Sequence, residues 1–317
     1  MKGMLHMTKQ KQFMEKTVVV WLGAMLCCAL WGSAFPCIKI GYRLFEIPSD
    51  AVATQILFAG LRFTLAGVIA LLIGSALNRK WLIPKKGSGP KIVKLCMLQT
   101  VVQYLFFYVG LAHTSGVRAS IIEGVNVFIA ILVASLVFHQ EALTARKIIG
   151  SIIGFAGVVL VNLTGDAGVG GFQLLGDGCI VLSTVAYAFS SVYLKRYSKE
   201  EDPVVLSGWQ FVQGGLIMIV CGLLFGGRLE TVSLSGIAML VYLAVVSAVA
   251  YSLWGMLLKY NPISRVAVFG FMNPVFGVIL SAIFLQEAGS LGVMCIISLV
   301  LVCGGIYIVN RGDEKAA

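Results

Sequence analysis

The sequence predicts an all-α integral membrane protein: ten transmembrane helices, arranged as two inverted-topology five-helix repeats around a central cavity. Three observations predict it. First, of 317 residues, 59% are hydrophobic and 12% charged, with a mean hydropathy of +0.94. A soluble chain carries about 25% charge. The apolar runs are continuous and not alternating, which suits helices and excludes a barrel. Second, the chain repeats itself. Gly110–Glu141 is echoed by Leu257–Glu287, with Arg118 matching Arg265 and Asn126 matching Asn273, both 147 positions on. Gln140-Glu141 matches Gln286-Glu287 with a slip of one, and Tyr104 pairs with Tyr251. Third, Lys and Arg are distributed unevenly between alternate connections.

Each span needs about 20 apolar residues to cross. The runs sit at 18–40, 52–76, 93–112, 117–137, 145–163, 174–194, 203–226, 235–258, 265–285 and 289–310. The first comes after Lys9, Lys11 and Lys16 and so raises the question of a signal peptide. It is too long for one, contains Trp31 and Pro36, and closes without a small-x-small site, so it reads as the first spanning helix. The longest connection, Leu77 to Ile92, is rich in Lys, Gly and Pro. With the N-terminus inside, inner segments hold 19 Lys and Arg and outer ones 4, with Arg62 inside a helix. The positive-inside rule then places both termini in the cytoplasm of a multi-pass plasma (inner) membrane protein.

The expected division is a cytoplasmic tail (1–17), a first five-helix repeat (18–163), a second (174–310) and a second tail (311–317). Because five is odd, the second copy enters from the opposite side. That is an inverted repeat, the architecture that lets one site face each side in turn. Weaker echoes at an offset of 156 relate Trp31-Gly32 to Tyr187-Ala188 and Lys39 to Lys195.

Polar residues at membrane depth are the candidate functional positions, since a charge there costs at least about 2.5–3.5 kcal/mol. Arg62 lies near mid-depth of helix 2 and suits a substrate carboxylate or a structural anchor. In helix 3, Gln99, Gln103 and Phe106 form a stripe. Glu123 lies roughly 9 Å below the outer boundary of helix 4 at about 1.5 Å per residue, with Asn126 on the same face. It suits a substrate ammonium or a coupled proton, or else an ion pair with Arg62 or Arg118. Its counterpart Gly270 has no charge. Further stripes are Tyr187, Ser190 and Ser191 in helix 6, Trp209, Gln210 and Gln213 in helix 7, and Ser247, Tyr251 and Trp254 in helix 8. Helix 9 adds Asn273. Such stripes also serve interhelical packing; a midplane cavity would need them to converge.

Catalytic and metal sites are not expected. His6, His113 and His139 lie at loops or ends without HExxH, and the Gly165–Gly171 loop lacks the Lys-Ser/Thr of a phosphate loop. The eight cysteines fall in apolar runs without CxxC spacing and read as small buried hydrophobes. Gly150-x-x-x-Gly154 and Gly222-x-x-x-Gly226 allow close helix contact, within the chain by default or in a homodimer. The charge of +10 fits membrane orientation, so no nucleic-acid partner is expected, nor any cofactor.

Several motifs together are more specific. They are Trp31-Gly32-Ser33-Ala34-Phe35, Leu61-Arg62-Phe63 with Leu65-Ala66, Gly110-Leu111 then Thr114-Ser115-Gly116-Val117, Gln140-Glu141, Asn273-Pro274-Val275-Phe276 and Gln286-Glu287. With these, the chain resembles the EamA-type family of the drug/metabolite transporter superfamily over nearly its whole length. The resemblance implies a transporter, not an enzyme, moving a small polar metabolite such as an amino acid, with export as the direction. A multidrug or nucleoside-like exporter using the aromatics is the alternative, and a lipid flippase or scramblase the alternative from another class. Relatives usually carry a proline in helix 4 where this chain has Val127, so a straighter wall is expected there.

Overall fold

The computed structural model describes residues 10–114, 119, 122–162, 173–284 and 293–311. Arg118, Ser115-Gly116-Val117, the Gly165–Gly171 loop and Gln286-Glu287 therefore lie outside the described residues. The described chain is helical: α1 Thr17–Leu44, α2 Val52–Asn78, α3 Gly89–His113, α4 Ile122–Val137, α5 Ala145–Asn162, α6 Leu174–Tyr197, α7 Pro203–Leu224, α8 Leu234–Tyr260, α9 Ile263–Ala267 continuing through Val268–Phe271 into Met272–Phe284, and α10 Val293–Asn310. Six of these (α1, α2, α3, α6, α7 and α8) are long and apolar enough to cross a bilayer; Ile122–Val137, Ile263–Gly277 and Ile296–Asn310 are shorter apolar helices. This is a multi-pass membrane protein. Leu22, Leu72, Val220 and Val300, fully apolar yet more than half exposed, have hydrocarbon as their natural solvent.

The starts and stops have local causes. Asp202 caps α7 by accepting from the Val204 amide (2.8 Å), with Pro203 in the first turn. Ser233 does the same for α8 through the Gly236 amide (3.0 Å). α2 ends where Arg79 turns left-handed (φ 52°).

Two helix pairs touch backbone to backbone through glycine. A Cβ at Gly67 would lie 2.5 Å from the Gly208 carbonyl, and one at Gly215 would lie 2.4 Å from the Thr64 amide, so α2 and α7 pack without an intervening side chain. Gly150 of α5 and Gly305 of α10 oppose each other in the same way. Gly150, Gly154 and Gly222 are thus occupied inside the chain, which leaves no dimer face at those three. Around these pairs, α1 packs on α8 and α9, while α6 packs on α3 and α4.

Three helices contain π-turns: Cys96–Val102 in α3, Val133–Val137 in α4 and Leu174–Gly178 at the start of α6. α4 is irregular even without a proline. The Val125 amide bonds the Ile122 carbonyl (3.0 Å), a tightened turn just before Asn126. α9 has a 3-10 turn, Val268–Phe271, in the matching place, and then Pro274. At Val127 itself the chain is regular α-helix, Asn126–Leu132.

Candidate functional site

A cavity of about 160 Å³ lies between α1, α2, α3, α4, α6, α8 and α9. α1 supplies Trp31, Phe35 and Ile38; α3 supplies Gln103, Tyr104, Phe107 and Tyr108. These stand in the second half of each helix, so the cavity runs from mid-depth toward the end where α1 and α3 stop. α4 adds Glu123, Asn126 and Val127, α6 adds Ser183, Thr184 and Tyr187, and α9 adds Gly270, Asn273 and Pro274. Its size sits below the ~300–1,000 Å³ of pockets for drug-sized ligands.

The two charges in its wall are held differently. Arg62, 3% exposed, donates from Nε (3.1 Å) and Nη2 (2.8 Å) to one acceptor, the Ser247 hydroxyl of α8. Ser247 in turn donates to the Leu243 carbonyl (3.1 Å), so its oxygen is aimed at the guanidinium. Glu123 lines the same cavity and, among the described residues, has neither hydrogen bond nor ion pair; Arg62 likewise has no carboxylate partner there. The pairing of Glu123 with Arg62 is absent from this conformation, and Arg118 lies outside the described residues.

An aromatic layer forms the floor. The Trp31 ring meets Tyr251 (5.1 Å) and Trp254 (5.0 Å) edge-on, and the Tyr104 and Tyr251 hydroxyls are 2.8 Å apart. Phe211 stacks beneath on Phe63 and meets Tyr251 edge-on.

Beyond this floor, the N-terminal end is tied across by two carboxylates, each reaching from one half of the chain into the other. Glu201, in the α6–α7 connection, accepts from the Lys85 amide (2.8 Å), the Ser88 hydroxyl (2.7 Å) and the Asp202 amide (3.0 Å). Glu141, after α4, accepts from the amide (3.0 Å) and hydroxyl (2.6 Å) of Ser264 at the start of α9, and from Lys147 (3.0 Å). Lys195 donates to the Asn261 carbonyl, and Asn261 to the Met14 carbonyl (3.0 Å). Burial works against the charge on Glu201, yet the three donors outweigh it and hold its carboxyl below the usual glutamate range.

Of the positions singled out in the sequence, Trp31, Arg62, Gln103, Glu123, Asn126, Tyr187, Tyr251 and Asn273 come together at this cavity. Gln99, Ser190, Trp209, Gln213 and Trp254 do not line it. Gln99 faces α7, accepting from Gln210 (3.2 Å). Ser190 donates to its own helix at the Tyr187 carbonyl (2.7 Å), and Trp209 donates to Leu82 (3.0 Å) in the α2–α3 connection. Gln213 shares α7 with Trp209 and does not reach the cavity; Trp254 lies under Trp31 in the floor. On α6 the cavity face extends the other way along the helix from Tyr187: Ser183 and Thr184, one turn before it, line the cavity where Ser190 does not.

An all-helical, multi-pass protein with a polar, aromatic-walled cavity at membrane depth and ties at one end has the build of a membrane transporter. The sequence profile of the EamA-like transporter family matches residues 19–163 and again residues 174–311, and the chain belongs to that family. An uncharacterized transporter of Archaeoglobus fulgidus is 30% identical over 294 residues, covering 92% of this chain and 98% of that protein. The uncharacterized transporter YvbV of Bacillus subtilis is 26% identical over 300 residues (91% of each), and protein PecM of Dickeya dadantii is 25% identical over 283 (87% and 92%). A crystal structure of a protein 17% identical superposes with a TM-score of 0.75, over 95% of this chain and 99% of the other, a likeness of fold.

Proposed function

We propose that this transporter carries a small zwitterionic metabolite, an amino acid or related compound, by alternating access. The observation that carries the reading is one small cavity holding Arg62 and Glu123, opposite charges with no ionic partner among the described residues. The guanidinium would take the carboxylate and Glu123 the ammonium, with Glu123 also the candidate for proton coupling. Gln103, Asn126 and Asn273 would add amide contacts, with Tyr187 and Tyr251 as apolar walls. Export is taken from the family resemblance alone.

The layout behind this reading is two inverted five-helix halves, 18–163 and 174–310. The contact pattern supports it. Under a five-helix repeat, α1 on α8 and α9 becomes α6 on α3 and α4, while α2 with α7 and α5 with α10 are self-matching pairs; all are present. We read both termini as cytoplasmic, in a plasma membrane, on the charge count alone; the ties among Met14, Glu141, Glu201 and Asn261 all lie at that N-terminal end. In this frame the conformation is closed toward the cytoplasm.

The aromatic wall favours a second reading, an exporter of cationic or uncharged ring compounds that does not depend on Arg62. Purified protein in proteoliposomes preloaded with unlabelled leucine, phenylalanine or threonine separates the two by counterflow of the labelled compound. The zwitterion reading expects a signal that Arg62→Ala and Glu123→Gln each lower at least tenfold. If both variants transport like the unaltered protein, the charge-pair idea fails; labelled ring cations surviving Arg62→Ala would favour the second reading.

A further inference from the structure

The connection from α2 to α3 holds a feature that the cavity does not use. No Asp or Glu occurs between Asp50 and Glu123, yet this connection and its flanks carry Arg79, Lys80, Lys85, Lys86, Lys91 and Lys94. Some are engaged. Lys85 and Lys91 bond to Glu200, and Lys94 sits over the Tyr193 ring (4.0 Å). Arg79, Lys80 and Lys86 are exposed and have no ion pair among the described residues.

Large apolar side chains stand beside and between them. Trp81 is 75% exposed, Ile83 71% and Leu77 80%, whereas Leu82 between the first two is only 6% exposed. Their exposure does not come from a loose chain. The Leu82 amide donates to Ser75 (3.0 Å), its carbonyl accepts from Trp209, and the Lys85 amide and Ser88 hydroxyl are fixed on Glu201. The backbone is thus pinned on one side, and Trp81 and Ile83 are presented on the other. They lie at the ends of α2 and α3, two helices long enough to span a bilayer, and a bilayer crossed by both would put them at headgroup depth, where an indole ring is at home and where cations meet lipid phosphates.

We propose that the Arg79–Lys86 segment is a docking surface for anionic phospholipid headgroups in the leaflet at the N-terminal end. Trp81 and Ile83 enter the boundary of the acyl chains, while Arg79, Lys80 and Lys86 lie on the phosphates. The proposal does not depend on what the cavity carries.

The test uses the full-length protein in phosphatidylcholine vesicles containing either a brominated phosphatidylglycerol or, at equal mole fraction, a brominated phosphatidylcholine. The difference in fluorescence quenching between the unaltered protein and Trp81→Phe isolates Trp81. Stronger quenching by the anionic lipid is expected, weakening as salt rises. Arg79→Gln/Lys80→Gln/Lys86→Gln lowers the preference at least fivefold, since one cation near a surface is worth ~5-fold at low salt. Lys39→Gln/Arg43→Gln, at the other end of α1, leaves it unchanged. Equal quenching of Trp81 by the two lipids, a preference indifferent to salt, or the same loss in the Lys39/Arg43 variant would overturn the proposal.

Discussion

The hydroxyls of Tyr104 and Tyr251 meet at 2.8 Å although 147 residues separate them in the chain. They hold the same place in the two sequence repeats, so the contact joins α3 to its own counterpart α8 across the floor of the cavity. Removing one hydroxyl strands the other in a part-buried cavity wall, which costs about 1 kcal/mol. Tyr104→Phe and Tyr251→Phe are each expected to lower stability in detergent by that order, and the double variant by clearly less than their sum. Strict additivity in this cycle would show that the two groups do not depend on each other.

Arg62 leans on Ser247 through two of its nitrogens. Ser247→Ala withdraws the acceptor and leaves those donors unmade, so stability should fall by about 1–3 kcal/mol. Transport should fall with it, because the guanidinium loses its aim. Unchanged unfolding and unchanged counterflow would mean that Arg62 is positioned by something else.

The glycine contact between α2 and α7 has no slack. A Cβ at Gly215 would lie 2.4 Å from the Thr64 amide and 2.7 Å from the Gly60 carbonyl, both backbone atoms. Gly215→Ala is expected to cost about 3 kcal/mol through forced helix separation. Gly304→Ala is the matched control. Nothing lies within 4 Å of its Cβ position, and alanine's helix propensity should make it neutral or slightly stabilising. Similar melting of the two variants would refute the tight contact.

Acid should loosen the N-terminal end. The folded-state pKa of Glu201 is depressed below the ordinary glutamate value of about 4.3. Its contribution is therefore fully present above that value and is lost as pH falls through the lower, folded-state one. Thermal unfolding between pH 3 and 7 should show a decline in acid that is shallower in Glu201→Gln, which is already less stable at neutral pH. Parallel pH profiles for the two proteins would remove Glu201 from this role.

The helices were legible because hydropathy registers residue type and depth, and both survive folding unchanged. Facing directions were harder. Gln99 and Gln103 share a face on a regular helix, but the π-turn Cys96–Val102 contains Gln99 and ends just before Gln103, so the regular register does not run through both. Gln103 reaches the cavity and Gln99 turns to α7. Trp209 and Gln213 misled for another reason: α7 is drawn onto α2 by glycines, and that contact fixes which side its polar stripe shows. Tyr104 and Tyr251 were legible as a repeated pair, though not as partners. The roles of Glu141 and Glu201 were hidden, since nothing in one connection announces which distant amide will meet its carboxylate.

That long reach has a consequence for how the protein is made. Ser264 stands 123 residues after Glu141, a stretch that takes roughly 6–25 s to synthesise at about 5–20 residues per second. During that interval the carboxylate has Lys147, only six positions on, to balance its charge. The Lys147 contact needs nothing from the second half of the chain, whereas the Ser264 contacts cannot form before that half exists.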